Sequence, residues 1–313
     1  MNSVITRRRS FGEFLATVGT IMMEANPHRR LAGIARSLLG FGTFLTFILT
    51  PRDALFFSSE SAPHGAVCEG SFSRVGLYCA LAPNWTLSYV FTFIILIAVM
   101  SGVLPGIVSW IHFWFQWSFA SQSPIVDGGD HIAQALALIF ILFHFGDTRL
   151  THWHNHPPNK PLPVFRLSLW WAAIILFMVQ GFVVYFHAAV GKFVVPEWLN
   201  GTGVWYWISD PTFGPPSFIA TPLLWIFGLP YLGQFATYLV LIVEFVLGIG
   251  CLFRSQFKKI LFIIGIILHT GFAITFGLWS FLISMAALLI MHLLYFDHVK
   301  KDRSPTTSPS KRE

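Results

Sequence analysis

Eight apolar stretches divide this chain, at about 31–50, 86–103, 105–120, 131–148, 165–190, 231–252, 259–277 and 279–297. Each approaches the ~20 residues that an α-helix needs to cross the hydrocarbon of a bilayer. A backbone in hydrocarbon must satisfy its own N–H and C=O groups, and a helix does so within one segment. The pattern therefore predicts an all-α, polytopic membrane helix bundle of about eight spans. Two pairs of stretches meet at tight breaks, Gly102-Val103-Leu104-Pro105-Gly106 and Gly277. The breaks are read as chain reversals, because unbroken helices of ~35 residues would overrun the bilayer. Only 11% of the 313 residues are charged, against about 25% in an ordinary soluble domain.

The basic residues orient this bundle. With eight spans and the N-terminus inside, Arg52, Arg74 and Lys192 are outside and the other 17 of the 20 Lys and Arg are inside. That asymmetry predicts a multi-pass protein of the cell (inner) membrane with both termini cytoplasmic. Residues 1–30 read as a cytoplasmic interfacial helix. Phe11, Phe14, Leu15, Val18, Ile21 and Met22 share one helical face after Arg7–Arg9, and Asn26-Pro27 ends it. Glu13 and Glu24 interrupt any signal-peptide pattern. Residues 31–298 form the transmembrane domain and 299–313 a basic cytoplasmic tail. The positive charge lies in short runs between apolar segments, which points to the lipid bilayer and away from nucleic acid.

The first outer loop, 51–85, carries Cys68 and Cys79. In an oxidising space these are expected to close a local disulfide, with two unpaired thiols as the alternative. Cys251, at the inner end of a span, is expected to be free. The inner loop has His152, His154 and His156 at alternate positions, followed at once by Pro157 and Pro158. It lacks a regular ligand signature and reads as a solvated basic loop, so no metal site is expected.

The segment with the most chemical content is 183–213. Lys192 is the one Lys or Arg between Arg166 and Arg254, and a Gly/Pro-rich aromatic stretch follows it. One reading is a snorkelling anchor in an aromatic belt. The other is a reactive lysine in a low-dielectric pocket. On the same expected side, Asp127-Gly128-Gly129-Asp130-His131 leads into the fourth span. Asp130 is the expected N-cap, with His131 in the first turn and Gln134 on the same face. Glu244 and His269 lie mid-span. Intramembrane ionisable groups are functional candidates, with a satisfied helix–helix contact as the alternative.

These residues carry a resemblance. Tyr185-Phe186-His187-Ala188-Ala189-Val190-Gly191-Lys192, then Trp198 and Gly201, resembles the HTTM domain shared with the vitamin K-dependent γ-carboxylases. Lys192 matches the lysine that deprotonates vitamin K hydroquinone there. His131 matches a histidine that binds or activates the glutamate substrate. Leu268-His269-Thr270-Gly271, with Phe281 and Met285, is similar to a late motif whose histidine lies near the quinone. Asn26-Pro27, Gly33–Leu39 and the Asp127–His131 turn resemble the SdpB (sporulation-delaying protein B) family, over most of 26–298.

The resemblance implies maturation of a secreted, SdpC-like peptide toxin, with a small SdpA-like partner. In this reading Lys192 is the base and His131 orients a substrate carbonyl or carboxylate. Asp130, Gln134, Tyr185, Trp198, Glu244 and His269 line a substrate or cofactor pocket able to hold a quinone such as vitamin K. The carboxylases add a large extramembrane domain, so carboxylation itself is kept as an alternative. The non-enzymatic alternative is a scaffold, exporter or receptor for the peptide or its partner.

Overall fold

In the computed structural model the described residues are 30–60, 62, 65–70, 72–154, 162–229 and 231–301. The expected interfacial helix, most of the basic tail and His156 lie outside them. Nine principal helices follow in order: α1 (Arg30–Leu49), α2 (Trp85–Ser101), α3 (Pro105–Gln122), α4 (Gly128–Phe143), α5 (Val164–Gly191), α6 (Ser217–Phe227), α7 (Leu232–Gly248), α8 (Ser255–Phe276) and α9 (Trp279–Leu289). The chain continues from α9 through one π-helical stretch, Ile290–Leu294, into Tyr295–Lys301. Each of the eight expected stretches is helical. Among the described residues the sole β feature is an isolated bridge, Val103 to Thr151.

Helices α1, α5, α7, α8 and α9, with α5, α7 and α9 counted together with their continuations, are long and apolar enough to cross a membrane. The shorter apolar helices are α2, α4 and α6. The protein is thus a multi-pass membrane helix bundle. Helix α3 turns its polar residues inward, burying His112, Gln116 and Gln122. The Gly/Pro-rich aromatic stretch after Lys192 contains two short helices, Pro196–Leu199 and Gly203–Ser209, and α6 follows them.

The two tight breaks occur where expected. Gly102 and Gly277 end α2 and α8 with φ of 80° and 76°, a left-handed geometry that costs glycine no Cβ clash. One core joins α1, α4, α5 and α9 through Leu39, Leu136, Phe140, Phe177 and Leu288. A second core, at the other end of α1, gathers Phe47, Phe56, Tyr78, Phe115 and Phe119. Helix α1 belongs to both and packs closely on α9 at Gly42. A Cβ there would stand 2.7 Å from Ser284 Oγ, so the absence of a side chain sets the approach.

Cys68 and Cys79 are joined, with Cα atoms 5.6 Å apart. Within the 51–85 loop the bridge ties Cys68 to the short helix Leu77–Leu81, over the second core. The cysteines are 11 residues apart, a loop whose closure stabilises by about 3 kcal/mol in the chain-entropy account. Reduction is therefore expected to lower the thermal midpoint of the purified protein. Identical melts with and without reductant would show that the bridge contributes nothing.

Candidate functional site

Helix α5 is 28 residues long, about 42 Å at 1.5 Å per residue, and exceeds the ~30 Å hydrocarbon thickness. Its last turns carry Tyr185, Ala189 and Lys192, spaced to share one face. Tyr185 and Ala189 are buried, and Lys192 opens a short 3₁₀ turn, Lys192–Val194. Pro196 then starts the next short helix at a position where its missing N–H costs nothing.

Lys192 does not extend freely into solvent. Its Nζ donates to both Glu244 oxygens, at 2.6 and 2.8 Å, and to the Ala188 carbonyl at 3.1 Å. The lysine side chain is 22% exposed and that of Glu244 8%. The Trp198 ring centre lies 5.1 Å from Nζ, within cation–π range. Beside this pair, Tyr185 Oη lies 2.8 Å from His269 Nε2, both buried. The fields of Glu244 and Lys192 reach Tyr185 and His269 respectively. The four polar groups form one cluster from α5, α7 and α8. His269 is flanked by Phe272 and Phe281, at ring separations of 5.8 and 5.3 Å.

Trp198 also walls a cavity of about 300 Å³ formed with Glu197, Tyr206, Trp207, Asp210 and Phe213. This concavity is aromatic, with two carboxylate residues, and it abuts the Lys192 cluster through a shared side chain.

The other sequence candidates fall elsewhere. Asp127, not Asp130, caps α4: its Oδ1 accepts the Asp130 N–H at 2.8 Å. Asp130 is instead buried in the first turn, where it accepts from Thr43 Oγ1 at 2.8 Å and Thr46 Oγ1 at 2.9 Å. The capping side chain is the one whose reach matches the N3 amide, and Asp127 stands three residues before it. Ser280 Oγ holds the other Asp127 oxygen at 2.7 Å and so ties α9 to this cap. His131 is exposed and Gln134 half-buried on α4. Among the described residues no hydrogen bond or ion pair joins His131 to Lys192, whose charged partner is Glu244.

Sequence reasoning missed a second set of buried polar residues, Arg36, His112 and Gln116, all at 0% exposure; it also read His152 as part of a solvated loop, whereas that side chain is 2% exposed and packed inside. Polar residues at helical spacing inside apolar segments were the available signal. Among the described residues no cluster of His, Cys, Asp and Glu has metal-binding geometry.

No family model matches the chain, and no solved structure matches it. Two curated proteins of Bacillus subtilis (strain 168) are similar to it. The uncharacterized protein YitO is 26% identical over 277 residues, 88% of this chain and 88% of YitO. Sporulation-delaying protein SdpB is 28% identical over 273 residues, 86% of this chain and 82% of SdpB. This membrane helix bundle is therefore a distant relative, over most of its length, of SdpB and YitO.

Proposed function

We propose that this protein acts in the maturation of a secreted, SdpC-like peptide, with a small SdpA-like partner, through a proton-transfer site at Lys192. The observation that carries the reading is the Lys192–Glu244 pair beneath an aromatic cavity. An ammonium and a carboxylate 2.6 Å apart share one proton. Moving it to Glu244 converts an ion pair into a neutral amine beside a neutral acid, without placing a net charge in the membrane. The amine is then the base, and Glu244 stores the proton. Trp198 separates this chemistry from the cavity that receives the peptide. His131, exposed on α4, contacts substrate from outside the cluster. The site faces outward in the N-terminus-inside orientation that the basic residues favour.

The carboxylase resemblance adds a quinone. His269 Nδ1 is buried without a hydrogen-bond partner among the described residues, and its flanking rings suit a flat aromatic ligand, so His269, Phe272 and Phe281 fit as its holders. Bound there, a quinone would supply redox chemistry to the site. Tyr185 positions the imidazole through the other ring nitrogen.

Mass spectrometry of peptide secreted by cells that express the precursor and the small partner tests the reading. The mature mass is expected with this protein and is expected to be lost without it. It is also expected to fall at least tenfold with Glu244→Gln, which removes the proton store. Unchanged mature peptide in the absence of the protein would end the proposal. A scaffold reading is favoured by one fact, that the same ion pair ties α5 to α7.

A further inference from the structure

The buried polar residues of α1 and α3 form a second site, remote in sequence from Lys192 and independent of the proposed peptide chemistry. Helices α1 and α3 run in the same direction, since Thr43 meets Gln116 and Phe47 meets Phe119. Gln116 Nε2 donates to Thr43 Oγ1 at 2.7 Å and faces His112 Nε2 at 3.3 Å. Both amide hydrogens are thereby engaged and His112 Nε2 is an acceptor. This places the His112 proton on Nδ1.

Among the described residues that Nδ1 has no hydrogen-bond partner. Arg36 lies two helical turns before Thr43, and His112 lies one turn before Gln116, so in these parallel helices both fall on the same side of the Thr43–Gln116 contact. Arg36 Nη1 donates to His152 Nδ1 at 3.2 Å. Among the described residues its Nε and Nη2 have no hydrogen-bond partner. These two atoms form the guanidinium edge that grips planar oxyanions with two parallel hydrogen bonds.

Charge argues in the same direction. His152 is a neutral contact: burial, then the charges of Arg36 and Arg149, push its pKa down to about 3. Asp147, whose field reaches Arg36, is held by Arg149 at 2.7 Å. One positive charge is left over among Arg36, Arg149 and Asp147, inside the bundle. Water would satisfy the N–H groups but would leave this charge uncompensated where compensation matters most.

We infer that Arg36 and His112 form a binding site for a small planar oxyanion, a carboxylate of formate or acetate size. The ion accepts two hydrogen bonds from the Arg36 Nε–Nη2 edge and one from His112 Nδ1. Gln116 Oε1, an acceptor without a partner among the described residues, takes a water beside the ion. His152 stands between the site and the end of the bundle. Its ring packs against Gly33, where a Cβ would come within 2.9 Å, and against Gly102. Gly102 O also accepts the His152 N–H at 3.0 Å.

Calorimetric titration of the purified full-length protein in nanodiscs tests the inference. Sodium formate is expected to bind saturably at constant ionic strength. Formamide, of similar shape but neutral, is expected not to bind. Arg36→Lys keeps the charge but loses the planar fork, and is expected to weaken formate binding at least tenfold. Octanoate, whose chain exceeds formate or acetate size, is expected to bind more weakly than formate. Equal heats from formate and formamide, or no saturable formate binding to the unaltered protein, would overturn the inference, and neither result depends on a variant folding.

Discussion

Lys192→Arg is expected to abolish peptide maturation while leaving the amount of membrane-inserted protein unchanged. Arginine retains the charge that pairs with Glu244 and so retains the tie between α5 and α7. It cannot supply a neutral amine, because guanidinium stays protonated to about pH 12 and above. The rest of the series separates structure from chemistry. Lys192→Ala strands the Glu244 side chain, which is 8% exposed, and breaking such a pair from one side costs about 3 kcal/mol. Lys192→Met combined with Glu244→Leu removes both charges at once and is expected to recover most of that stability, since apolar replacement of a buried pair is often neutral. Maturation is expected to stay lost in the double variant. Thermal melts report the first quantity and the secreted mature mass the second. An active Lys192→Arg protein would remove the general-base role and leave the scaffold reading in possession of the site.

Gly181→Val is expected to prevent accumulation of folded protein. Gly181 lies on α5 against the imidazole of His292, where a Cβ would overlap the ring. His292 sits in the π-helical stretch after α9, with Nδ1 3.0 Å from the Met178 carbonyl and Nε2 3.1 Å from that of Leu247. The ring thus spans α5 and α7, which also carry Lys192 and Glu244. Overpacking and a lost hydrogen bond together are expected to cost about 3 kcal/mol. Gly271→Ala is the matched control. A Cβ there meets nothing within 4 Å, and alanine inside a helix is favoured over glycine by roughly 0.5–1 kcal/mol. Size exclusion in detergent should show aggregation or loss for Gly181→Val and an unaltered peak for Gly271→Ala. Two equal monodisperse peaks would show that the α5–α7 contact tolerates expansion and that the His292 bridge is dispensable.

The sequence by itself determined the features that depend on neighbours along the chain. Helix formation in apolar stretches and breaks at Gly102 and Gly277 follow from local hydropathy and backbone geometry, while the short spacing of Cys68 and Cys79 favoured a closure that the structure then shows. Lys192, Tyr185, Trp198, Glu244 and His269 could each be named as candidates, because a polar group in or beside an apolar span is conspicuous. Tertiary structure alone decided which of them meet. Lys192 closes α5 while Glu244 lies within α7, 52 residues away, so their contact depends on a stagger between two helices. It also turned Asp130 inward to Thr43 and Thr46, left His131 exposed, and brought Arg36 to His152 across 116 positions. The physical reason is that lipid is as apolar as leucine. In a soluble helix the apolar stripe marks the buried face, but in a membrane helix both faces are apolar. Rotation and register are then set by close packing at small residues and by a few polar contacts, which the hydropathy pattern does not encode.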